Sequence, residues 1–165
     1  METFDFDRLN KIVDDYLEDE ETKKRKAITN LKIKFSEMIS KISPVTSDIS
    51  KIDKLLRKLE LVEIPEDLRA SSKIFCRIGL GMHNGFRSLE LYPTSASKFK
   101  DVCLIVTENG ISFYNMDFFM DFPIKEASKE MLEHCIELMN RFNDFYPNFV
   151  NNFTQFIIHN YGGNK

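Results

Sequence analysis

Two Asn-Gly dipeptides, Asn84-Gly85 and Asn109-Gly110, each sit between apolar runs. Asn-Gly is the strongest short-range sign of a two-residue β-hairpin, because both residues accept the positive φ of a tight primed turn. The middle of the chain is thereby committed to antiparallel strands. Taking Asn84-Gly85 as loop residues sets Leu80 opposite Leu89 and Ile78 opposite Leu91, with Arg77 opposite Tyr92 on the other face. The inward residues of both strands then agree, which a one-residue slip would destroy. Treating Asn109-Gly110 the same way sets Val106 opposite Phe113 and Leu104 opposite Asn115. On the other face Ile105 meets Tyr114 and Cys103 meets Met116. Both faces of this second hairpin are largely apolar, as in a strand covered on both sides; the alternative is a face presented to a partner.

Helical periodicity flanks this β region. Phe6, Leu9, Val13, Tyr16 and Leu17 predict a helix over 3–19. Acidic residues crowd its C-terminal end, which the helix dipole disfavours, so a break is expected near Glu20–Thr22, with one longer helix as the alternative. Ile28, Leu31, Phe35, Met38 and Ile42 step by 3 and 4 along a second helix, 22–42, which Pro44 stops. Thr46, Ser47 or Asp48 can cap the next, where Ile49, Ile52, Leu56 and Leu59 repeat the step. The short connection suggests a coiled-coil-like helical hairpin, zipped on itself or on the body. After the strands, Ala127, Met131, Cys135, Leu138 and Phe142 mark a helix near 125–143, with Glu130, Glu133 and Glu137 outward. Phe149, Phe153, Phe156 and Ile157 mark another near 147–160, with Pro147 in its first turn and Gly162-Gly163 at its end. The expectation is an α+β fold: an N-terminal helical hairpin, a four-stranded antiparallel sheet of two β-hairpins, and two C-terminal helices. Residues 1–64 form the helical region and 65–165 the α+β body of one continuous unit.

Charge is unevenly distributed. Residues 1–21 carry nine acidic and two basic side chains, residues 22–59 eleven basic and three acidic, although the whole chain is only −3. Lys23, Lys24, Arg25, Lys26, Lys32 and Lys34 form a cationic stripe able to neutralise phosphates. Asp14, Asp15, Glu18, Asp19, Glu20 and Glu21 lie beside it and can neutralise it instead, within the chain or across a dimer.

Most catalytic chemistry lacks its signature. Gly79-Leu-Gly-Met-His-Asn-Gly85 is glycine-rich, but a strand follows it where a phosphate cradle needs a helix N-terminus. Gly79 and Gly81 read instead as bulge or close-approach positions. Glu130, His134 and Glu137 share a helical face at metal-ligand spacing, yet a solvated glutamate-rich face is the simpler reading and no second half-site matches it. Cys76, Cys103 and Cys135 form no CxxC motif and no disulfide framework, and Cys76 and Cys103 fall on strands where thiols are inert. No nucleophile–base arrangement emerges. The expectation is therefore a non-enzymatic protein without metal or cofactor.

No apolar run approaches ~18 residues and the acidic start resembles no secretory signal, so a cytoplasmic protein with no membrane partner is expected. Phe, Ile, Lys, Asn and Tyr, all with AT-rich codons, make up 64 residues. That bias suits a bacterial, viral or mobile-element genome. Small acidic α+β proteins with hairpins between helices are common among inhibitors, immunity proteins and phage accessory proteins, and by that analogy of fold an inhibitor, immunity or phage accessory protein is expected. Phe118, Phe119 and Phe122 cannot all point inward from one short extended segment, so one or two stay at the surface as anchors for a protein partner. With Ile105, Tyr114 and Met116 they form the expected protein-binding surface. A homodimer through residues 22–59 is a further expectation, and nucleic-acid binding through the lysine stripe is the alternative function.

Overall fold

The computed structural model describes residues 2–61, 68, 71–73, 76–94 and 97–163, with backbone alone for 71–73 and 76–78. The expected boundary at 64–65 falls outside these residues.

Helix α1 spans Phe6–Ile42, 37 residues, with the Asp5 carboxylate accepting from the Arg8 N–H at its start. It runs straight through the expected break at Glu20–Thr22. The acidic crowding there is answered one turn on, by Lys23 3.8 Å from Glu20 and Arg25 3.3 Å from Glu21. Spacings of three and four residues support a helix, and the dipole opposes anions only at a terminus. α1 ends at Ser43, immediately before Pro44, and helix α2 covers Val45–Lys58. Pro44 occupies the N-cap in place of Thr46, Ser47 or Asp48; the Thr46 hydroxyl turns back to the Ser43 carbonyl. The two helices do not zip together as a hairpin. α1 packs on the C-terminal helix, while α2 packs on the sheet.

Among the described residues the sheet is an antiparallel meander of six strands in sequence order. They are β1 Ser71–Lys73, β2 Cys76–His83, β3 Phe86–Tyr92, β4 Val102–Thr107, β5 Gly110–Asn115 and β6 Met120–Asp121. Two very short edge strands thus extend the expected four. The first hairpin holds the expected register, Leu80 opposite Leu89 and Ile78 opposite Leu91. The second is shifted by two residues: Leu104 faces Phe113, Val106 faces Ile111 and Cys103 faces Tyr114. Its loop is Glu108-Asn109, because the Thr107 hydroxyl accepts the Asn109 N–H at 3.1 Å and Gly110 opens β5 with φ +144°. A shift of two preserves the face of every side chain, so the division into core and opposite face survives.

A single helix α3, Lys129–Tyr161, replaces the two expected C-terminal helices, and Pro147 lies inside it. An interior proline costs about 3 kcal/mol in a helix. Here Phe142, Tyr146, Phe149 and Phe153 form a continuous ladder of ring contacts across the proline, at centroid spacings of 5.5, 6.1 and 6.1 Å. The Tyr146 hydroxyl also donates to Asp48 on α2 at 2.7 Å, fixing the residue whose helical conformation a following proline disfavours. Leu80, Leu89, Leu91, Leu104, Val106 and Phe113 line the sheet face covered by the helices. Between α2 and the sheet, Asp53 receives Arg57 at 2.7 Å and Arg87 of β3 at 3.3 Å.

Candidate functional site

The face of the sheet away from the helices closes on itself. Strands β2 and β5 are separated by two others, about 14 Å across a flat sheet. Yet the His83 ring of β2 meets the Tyr114 ring of β5 edge-on, with centroids 4.7 Å apart. The sheet therefore curls until the first hairpin's tip reaches the second hairpin. All six residues of β4 are buried, including Cys103 and Ile105 on this inner face, 1% and 2% exposed. Ile105 is thus out of reach of any partner, Tyr114 is half-covered under His83, and Met116 is half-buried with its N–H on the Asp101 carbonyl. These three do not form the outward surface expected of the second hairpin, because the curl makes that face concave.

A cavity of about 250 Å³ opens at the end of the curl, between His83, Asn84, Thr107, Asn109, Ser112 and Asp121. Deeper on the same face, the Glu90 carboxylate accepts from the Tyr92 hydroxyl at 2.7 Å and the Ser88 hydroxyl at 3.3 Å. Gly81 leaves it room: a Cβ there would stand 3.3 Å from Glu90 Oε2. Gly81 is thus a close-approach glycine, as expected. The Ser88–Glu90–Tyr92 trio is not among the residues the sequence singles out, although the alternation of polar residues along β3 carries its signal.

The strongest outward feature is the loop between β5 and β6. Phe118, Phe119 and Met120 are 72%, 80% and 58% exposed. Phe122 points the other way and packs against the core, with its N–H on the Phe113 carbonyl. The expected division, one or two aromatics outward, holds here. Asn115 shapes the loop: its side-chain oxygen accepts from the backbone N–H groups of Asp117 at 2.9 Å and Phe118 at 3.2 Å. Phe119 sits at φ +52°, a left-handed conformation uncommon for a bulky residue. A hydrogen bond shared with Asp101 raises the Asp117 carboxyl above the usual carboxylate range.

Lys23, Lys24, Arg25, Lys26, Lys32 and Lys34 are all exposed along α1. Lys23 and Arg25 carry the intrahelical pairs described above, so the neighbouring acids take part of the stripe's charge. His134 lies apart from Glu130 and Glu137 in chemistry. It is buried, with Nε2 at 3.0 Å from the Val102 carbonyl and Nδ1 at 3.1 Å from the Ser97 hydroxyl, and so serves as a core link. The Cys103 and Cys135 thiols are both pushed up to about 12, by burial in each case and by the charge of Glu90 in the first. Thiols held in that state are poor nucleophiles. Cys76 has no described side chain. Among the described residues no helix is long and apolar enough to cross a membrane.

The chain matches no protein-family model, no curated protein and no solved structure at a significant level.

Proposed function

We propose that this protein is a non-enzymatic interaction module that occupies the surface of a protein partner, as an inhibitor or adaptor does. The observation that carries the reading is the presentation of Phe118, Phe119 and Met120. Three successive large apolar side chains are exposed, Phe118 and Phe119 in a loop pinned by Asn115 and Met120 at the start of β6. Exposed aromatics on a preorganised loop anchor interfaces at low entropic cost. Backbone strain at an exposed Phe119 adds to this, since such strain is kept where it serves a function.

The test compares the wild type with Phe119→Asp as bait in source-cell lysate, with and without nuclease. A stoichiometric protein band that survives nuclease and is lost with Phe119→Asp supports the reading, provided thermal stability is unchanged. A band retained by Phe119→Asp removes the loop as anchor. Recovery of nucleic acid, lost when Lys23, Lys24 and Lys26 are reversed to Glu and falling steeply with salt, would instead establish nucleic-acid binding by the stripe.

A further inference from the structure

The mouth of the curled sheet gathers polar side chains that the fold does not use. Facing residues of an antiparallel pair share a sheet face, and side chains alternate with period two. The pairings His83–Phe86, Ser88–Thr107, Ile105–Ser112 and Tyr114–Asp121 therefore put all of these residues on the concave face. Five of them, His83, Phe86, Thr107, Ser112 and Asp121, each from a different strand, line the cavity of about 250 Å³.

Much of the hydrogen-bonding capacity there is unspent. Thr107 is only 9% exposed. Its hydroxyl oxygen accepts from the Asn109 N–H at 3.1 Å, so its proton is left to donate, and among the described residues it meets no acceptor. The side chains of Ser112, Asn109 and Asp121 likewise make no hydrogen bond or ion pair with any described residue. His83 and Asn84 engage each other instead, Nε2 to Nδ2 at 3.3 Å. Phe86, 41% exposed, adds an apolar wall.

This set selects a class of ligand, which must accept from Thr107 and donate to Asp121. An ammonium group only donates. A phosphate or carboxylate only accepts, and among the described residues no lysine or arginine lines the cavity to offset Asp121. A hydroxyl does both. An amide also does both, but along one edge, whereas the unspent groups stand on the second hairpin's tip, on β5 and on β6, around the cavity. Hydroxyls spread about a ring meet that arrangement. The volume falls just below the ~300–1,000 Å³ of sites for drug-sized ligands, so it suits a single ring.

We propose that the mouth of the curled sheet binds a neutral polyhydroxy ligand the size of one sugar ring. Thr107 donates to it, Asp121 accepts from it, and Ser112 and Asn109 complete the contacts. The proposal is independent of the aromatic loop.

Amide NMR spectra of the full chain test it, titrated with D-glucose, D-galactose, D-mannose and D-ribose, with putrescine and inorganic phosphate as charged probes. At least one sugar gives saturable shifts centred on Thr107, Asn109, Ser112 and Asp121, and neither charged probe does. Asp121→Asn, at an exposed position, weakens that sugar's binding about tenfold through loss of a charge-assisted hydrogen bond, with the melting midpoint unchanged. Ser112→Ala weakens it by a few-fold. Absence of a saturable shift with every sugar overturns the proposal, as does saturation of the same amides by putrescine or phosphate. A sugar that binds both variants as tightly as the wild type, or that shifts only amides elsewhere, overturns it equally.

Discussion

Nε2 of His134 on α3 lies 3.0 Å from the carbonyl oxygen of Val102 at the start of β4. A carbonyl can only accept, so Nε2 carries the proton and Nδ1 accepts from the Ser97 hydroxyl at 3.1 Å. The Ser97 oxygen accepts in turn from the Phe99 N–H at 3.1 Å. One imidazole thus ties the helix layer to both the sheet and the segment entering β4. His134→Ala leaves the buried Val102 carbonyl and the half-buried Ser97 hydroxyl without their imidazole partner, and the expected loss is about 2–3 kcal/mol in urea unfolding. Ser97→Ala, which leaves the Val102 bond intact, is expected to cost about 1 kcal/mol. An unchanged midpoint for His134→Ala would deny the link its structural role.

How much of this was legible beforehand follows from the range over which each signal acts. Asn84-Gly85 fixed its hairpin to the residue because turn and alternation agree locally. Asn109-Gly110 placed the hairpin but misplaced the loop by one residue. The competing Thr107 hydroxyl and the freedom of Gly110 to open a strand are invisible to a dipeptide rule. The acids at 18–21 and Pro147 both read as helix ends, since each opposes a helix locally. What overrides them is one turn of counter-charge in the first case and a ring ladder anchored to Asp48 in the second. The seven-residue step from Phe142 to Phe149 kept the helical phase across the proline and was the available hint. The curl that buries Ile105 depends on His83 meeting Tyr114, a contact between residues 31 positions apart. Pattern within a strand carries no information on it. The outward pair Phe118 and Phe119 was legible because three aromatics in five residues exceed what one extended segment can bury.

The carboxylate of Asp53 is held by two guanidinium groups in different surroundings. The Arg87 side chain is 12% exposed and that of Arg57 68%. Removing a partner from a buried charge costs far more than removing one from a solvated charge. Asp53→Ala is therefore expected to destabilise by about 2–4 kcal/mol, leaving Arg87 uncompensated under α2. Arg57→Ala removes a solvated guanidinium and is expected to leave the unfolding midpoint nearly unchanged. Equal effects in chemical denaturation would mean that Arg87 finds another partner.

Phe119 gives a prediction of opposite sign. Its side chain is 80% exposed and its φ is +52°. Glycine adopts this conformation without the steric penalty of a Cβ. Phe119→Gly is expected to raise stability by up to about 1 kcal/mol while weakening partner capture as strongly as Phe119→Asp. A fall of the melting temperature by several degrees would show that the ring is part of the packing after all.

Base sensitivity should follow from Cys103 and Cys135, whose thiols burial pushes from an ordinary value of 9.0 up to about 12. Between these values the unfolded chain has released its thiol protons and the folded chain has kept them. Unfolding therefore releases protons across this window, and stability falls as pH rises. The contribution is fully present below about pH 9 and is lost through about pH 12, at a limiting slope of about 1.4 kcal/mol per pH unit for each thiol. Tyr146, raised above its usual 10.0 by burial and then by Asp48, adds to the decline at the upper end of the window. Urea midpoints measured upward from pH 8 should be level at first and then decline, and Cys135→Ala should make the decline shallower by one thiol's share. In the same range a thiol reagent should leave Cys103 and Cys135 unmodified in the native protein and label both once urea is added. Rapid labelling of either thiol without denaturant, or a midpoint independent of pH to about 11, would contradict the burial that defines the concave face and the α3 core.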